Sequence, residues 1–87
     1  MSKNIGMALL ETLYLAYKLQ KEKASKGEMP VITIKELEKY SNGRLTYGMA
    51  SVYCTRLTAL GYLKKITRGV YVVSDKGLEL LREMKLI

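Results

Sequence analysis

Apolar residues in the first quarter of the chain recur at helical spacing and predict a helix over residues 5–23. At about 100° per residue, Ile5, Leu9, Leu13 and Ala16 share one face, while Leu10, Tyr14 and Tyr17 line another. Leu15 and Leu19 carry the apolar arc to the far side, leaving only a narrow polar strip through Glu11, Lys18 and Glu22. A surface helix needs one apolar stripe of roughly 100°. This arc is wider, so the helix is expected to pack both on its own domain and on a second subunit.

Beyond the Lys26-Gly27 break, Met29-Pro30-Val31-Ile32 predicts a short strand. Thr33 followed by Glu36 is a capping box and starts a second helix over 34–41, closed by Asn42-Gly43, residues that tolerate positive φ. A third helix is expected over 46–60, with Ala50, Cys54 (or Tyr53), Leu57 and Leu60 as its inward row and Gly61 as its stop. The period then changes from that of a helix to that of a strand. Tyr62 to Ile66 and Val70 to Val73 flank the loop Thr67-Arg68-Gly69, which predicts a β-hairpin over 62–74. Ser74 or Asp75 caps a last helix over 75–86, with Leu78, Leu81 and Met84 inward and Leu80 and Ile87 widening its stripe. The expected fold class is α+β, mainly α, as one domain over 1–87.

Composition narrows the possibilities. A chain of 87 residues, 48% apolar and 26% charged, is expected to hold one globular core. One cysteine and no histidine exclude an intrachain disulfide and a structural zinc site, so no metal is expected and self-association is the remaining common source of added stability. Glu11, Thr12, Lys18 and Gln20 interrupt the first apolar run, and no small-residue cleavage site follows it. A soluble, intracellular protein is expected. No histidine, no nucleophile beside a base and no glycine-rich phosphate loop can be assembled, so neither an enzyme nor a cofactor is expected. A single glutamine and a single cysteine beside many Lys, Glu and Tyr are compatible with a thermophilic source.

The net charge of +7 is unevenly spread. Residues 44–76 hold Arg44, Arg56, Lys64, Lys65, Arg68 and Lys76 against Asp75 alone, which is +5 of the total. Such concentration suits a polyanion-facing side, although a lysine-rich solvated surface has the same composition. Two short helices joined by an Asn-Gly turn are also the skeleton of a helix-turn-helix.

The run Arg56-Leu57-Thr58-Ala59-Leu60-Gly61-Tyr62-Leu63-Lys64-Lys65 resembles the junction of recognition helix, glycine stop and first wing strand in winged helix-turn-helix regulators. Tyr71-Val72-Val73-Ser74-Asp75-Lys76-Gly77 is similar to the segment that leads from the wing into the following helix of that family. With the helix pair, the resemblance covers nearly the whole chain and is nearest to compact archaeal and archaeal-virus members. It implies binding of double-stranded DNA as a homodimeric transcriptional regulator, with the third helix in the major groove and the wing along the backbone.

On that reading, Thr46, Tyr47, Ser51, Val52 and Thr55 face the groove, where hydroxyls bond base edges or phosphates and Val52 meets a thymine methyl. Arg44 and Arg56 flank the helix as phosphate contacts, and Arg68 at the wing tip is the foremost candidate. Lys64 and Lys65 point to opposite faces of the strand, so only one is expected to reach DNA, the other guarding a sheet edge. Gly48 either lets a phosphate approach closely or avoids a clash with the second helix. The dimer is expected to form through Leu10, Tyr14 and Tyr17 of the first helix with Leu80, Met84 and Ile87 near the end. Cys54 is read as a small core hydrophobe and Glu36 as a cap. The competing reading is a winged-helix protein-interaction module without DNA; RNA binding stays open, though no RNP-like aromatic signature is present.

Overall fold

The computed structural model describes residues 5–87, whose elements run α1 (Met7–Ser25), β1 (Ile32–Thr33), α2 (Ile34–Tyr40), α3 (Tyr47–Ala59), β2 (Leu63–Thr67), β3 (Val70–Val73) and α4 (Asp75–Glu83). The domain is α+β and mainly helical. Its three strands form one antiparallel sheet in the order β1-β3-β2, with Ile32 opposite Tyr71 and Leu63 opposite Val73. Among the described residues, no helix is long and apolar enough to cross a membrane.

Local chemistry sets the boundaries. Thr33 ends β1 and caps α2, accepting from the Glu36 amide at 3.1 Å, while the Glu36 carboxylate accepts from the Thr33 amide at 3.1 Å. The turn from α2 to α3 places Asn42 and Gly43 at φ 57° and 93°, and Ser41 locks it: its hydroxyl donates to the Glu38 carbonyl at 2.7 Å and accepts from the Leu45 amide at 3.0 Å. Thr46 caps α3 through the Met49 amide, and Ser74, rather than Asp75, caps α4 through Gly77.

Leu13 and Ala16 of α1, Ile32, Leu37, Ala50, Cys54, Leu57 and Leu81 are completely buried and bring all four helices and the sheet onto one core. β1 is only two residues long, so it cannot pair with the far end of β3. Gln20 of α1 takes over there, its side-chain oxygen accepting from the Val73 amide at 2.9 Å.

Several expectations need correction. The strand expected over 29–32 contracts to Ile32–Thr33, because Lys23 claims the Val31 carbonyl at 2.7 Å. The hairpin loop is tighter than expected: Thr67 pairs with Val70, leaving Arg68-Gly69 as the turn, with Gly69 at φ 74° and a bulge at Ile66. Leu60 is not inward but 43% exposed, since it lies past the last turn of α3.

α4 stops at Glu83, short of 86. The Lys85 amide bonds the Arg82 carbonyl and the Leu86 amide bonds the Leu81 carbonyl, with Lys85 at φ 60°, the two-bond reversal that ends a helix. Gly77, Leu80 and Leu81 therefore form the inward face, Leu78 is half-buried, and Met84 is exposed. Leu10 and Leu80, expected at a dimer interface, belong to the chain's own core at 6% and 2% exposure, because α1 and α4 pack on each other. Tyr14 and Tyr17 are half-buried against that core, and Ile87 is exposed.

Candidate nucleic-acid interface

Burying Ala50, Cys54 and Leu57 turns the opposite row of α3, which is Gly48, Val52, Thr55 and Ala59, fully outward. Sequence reading missed Ala59, although its spacing from Thr55 and Val52 signals it. Tyr47 and Val52 are about half exposed, Thr46 and Thr55 are exposed, and Ser51 is half-buried. The Thr55 hydroxyl donates to the Ser51 carbonyl at 2.9 Å, leaving its lone pairs outward as acceptors.

Gly48 has no packing reason. A Cβ built there meets nothing within 4 Å, which removes the expected clash with α2 as an explanation. Gly48 is the second residue of α3, where a glycine costs up to the roughly 1 kcal/mol relative to alanine of a helix interior, and among the described residues nothing offsets it.

The hairpin resolves the two lysines. Lys64 is paired with Val72 on the outer face of the sheet, and Lys65 with Tyr71 on the face that bears α3. Lys65 and Tyr71 form one wall of an open groove of about 260 Å³, and Thr55, Thr58 and Ala59 of α3 form the other. Thr58 and Tyr71 had gone unnoticed as groove residues, since only the packing of the hairpin on α3 brings them together.

Arg68 stands exposed at the turn, and Ile66 projects beside it at 53% exposure because the bulge releases it from the ladder. Arg56 follows Met49 and Tyr53 on the opposite flank of α3, toward α1, and is also exposed. Among the described residues, no carboxylate lies within ion-pair distance of Arg56, Lys64, Lys65 or Arg68.

The other two cations of the 44–76 segment have structural work. Arg44, though exposed, forms an ion pair with Glu11 of α1. Lys76 donates to the Leu60 carbonyl at 3.0 Å and lies 5.1 Å from the centre of the Tyr62 ring, placing a cation on the negative end of α3. Ser74 and Gly77 complete this junction. The Ser74 hydroxyl donates to the Gly61 carbonyl and its amide to the Tyr62 carbonyl, and Gly77 lies so close to the Tyr62 carbonyl that no Cβ fits.

Cys54 is fully buried, and burial pushes its thiol up to about 12, so it carries almost no thiolate near neutrality and behaves as a small core hydrophobe. Among the described residues, no group of three or more Cys, Asp or Glu side chains is placed to hold a metal ion.

Compared with family models, curated proteins and solved structures, the chain matches none.

Proposed function

We propose that the protein is a winged helix-turn-helix transcriptional regulator that binds double-stranded DNA as a homodimer, α2 and α3 serving as the helix pair and β2–β3 as a short basic wing. The observation that carries this reading is the outer row of α3. It is exposed, small or hydroxyl-bearing, interrupted by a glycine without internal purpose, and bracketed by cations that have no acidic partner within the described chain.

Small outer side chains let a helix approach the floor of a major groove closely, and Gly48, Ser51, Val52, Thr55 and Ala59 are of that kind. Phosphates on either side of the groove then need cations flanking the helix. Lys65 and Arg68 provide them on the hairpin side, and Arg56 on the other. Lys64, facing away, suits the edge-guard role, and Arg44 is engaged with Glu11.

The absence of Asn or Gln on this face removes the usual partners of adenine, so discrimination is expected to be modest and partly shape-based. The test is duplex affinity as a function of salt. Log K should fall linearly with log salt, with a slope near −0.9 per neutralised phosphate. Absent or salt-insensitive binding at low ionic strength rejects the reading in favour of a protein-interaction module.

A further inference from the structure

We propose that Ile66 is a wedge that enters the minor groove and opens the stack between two base pairs, so that the bound duplex bends. The proposal rests on the regulator reading above and adds to it a deformation of the DNA and a preference for sequences that deform easily.

The hairpin sets this side chain apart. Lys65 and Thr67 pair with the consecutive residues Tyr71 and Val70, so Ile66 between them has no partner across the ladder. A bulge of this kind re-aims the side chain it carries. Ile66 is 53% exposed, no other large apolar side chain of the hairpin is as open, and it is not among those packed on the core. Single apolar residues on a surface are ordinary. What marks this one is its charge setting, its support and its position.

Residues 62–74 carry Lys64, Lys65 and Arg68 and no carboxylate; Asp75 comes only at the far end of β3, in the first turn of α4. Ile66 thus has a cation before it and another at the turn after it, a setting that selects a polyanion. The cations hold phosphates while the apolar tip meets the faces of stacked bases.

A wedge must also stay in place against the stack it opens. At one end β2 is anchored by Leu63, 2% exposed and paired with buried Val73, and at the other the strands close in the two-residue turn with Gly69 at φ 74°. Position completes the case. In the proposed complex one sugar-phosphate backbone runs in the open groove between α3 and the hairpin. With α3 in the major groove on one side of that backbone, the hairpin tip lies over the minor groove on the other.

Apolar side chains inserted from that groove kink a duplex by about 20–90°. Unstacking is easiest at pyrimidine–purine steps, so bending supplies a sequence preference that a face without Asn or Gln lacks.

The test uses two duplexes of about 24 A·T pairs with a donor and an acceptor dye at their ends, one of alternating sequence and one an A-tract without a pyrimidine–purine step. At low salt the wild type should raise energy transfer on the alternating duplex and bind it at least about 5-fold more tightly than the A-tract. Ile66→Thr, which keeps the β-branch suited to a strand, should abolish both effects, while the circular dichroism spectrum and the salt slope hold because no phosphate contact is lost. Ile66→Leu should retain both. A duplex that stays straight when bound, a bend or preference that survives in Ile66→Thr, or a salt slope that falls with that substitution overturns the wedge. The two readings fail distinguishably: no duplex binding by the wild type rejects the regulator and the wedge with it, whereas salt-dependent binding without bending rejects the wedge alone.

Discussion

Two glycines inside helices carry opposite meanings, and substitution tells them apart. At Gly77 a methyl group collides with the Tyr62 carbonyl and presses on Val73, so α4 can begin over the α3–β2 junction only with no side chain there. Gly77→Ala should destabilise by about 3 kcal/mol despite the better helix propensity of alanine, read as a lower urea midpoint at unchanged m. At Gly48 the same methyl meets open space. Gly48→Ala should therefore stabilise the isolated protein by up to about 1 kcal/mol, the value of a helix interior, since the site lies in the first turn of α3. If α3 enters a groove as proposed, the same substitution should weaken duplex binding, separating a cost to function from a gain in stability. Unchanged affinity would leave this glycine without a role. The sequence shows both as helix glycines, and only the space around each Cβ assigns them.

At the scale of elements, helix caps and turns were legible because they rest on neighbours in sequence. The Thr33/Glu36 box, the Asn42-Gly43 turn, the Gly61 stop and the Gly69 turn each occur where local chemistry places them. What stayed hidden depends on residues far apart. Lys23 uses all three of its protons, two on the Glu36 carboxylate at 2.9 Å and one on the Val31 carbonyl, clamping the end of α1 onto the start of α2. No spacing rule links residues 23 and 36. Burial by itself would raise the Glu36 carboxyl, but the bonds from Lys23 and Thr33 outweigh it and hold the group below its ordinary 4.5. The depressed value means that the unfolded chain takes up this proton first as pH falls. The contribution of the clamp is thus complete above about pH 4.5 and is lost as pH drops through the folded value. Glu36→Gln should lower the melting temperature at neutral pH and flatten its decline on the acid side, measured by thermal unfolding between pH 3 and 7. The end of α4 is the exception among the local signals: periodicity continued through Met84 and Ile87, but a reversal at Lys85, a non-glycine residue in the left-handed region, ended the helix first.

For the whole molecule, the charge excess of residues 44–76 was visible in the sequence, but its partition was not. Arg44 and Lys76 face Glu11 and the end of α3, so their charges serve the fold. Lys64 and Lys65 are consecutive, and only the pairing of β2 with β3 decides which one lies beside α3. The partition makes the proposed DNA face testable against its own neighbours. Lys65→Ala and Arg68→Ala should each weaken duplex binding across sequences and reduce the salt slope by about 0.9, the loss of one phosphate contact. Lys64→Ala removes the same charge from the same strand and should leave the slope unchanged, since its side chain lies on the far face of the sheet. General attraction between a cationic protein and a polyanion predicts instead that all three variants weaken binding alike, because net charge falls equally. Equal losses would reduce the DNA face to diffuse electrostatics. A loss confined to Lys65 and Arg68 would tie binding to the groove between α3 and the hairpin, where Thr55, Thr58 and Ala59 leave room for a backbone to pass.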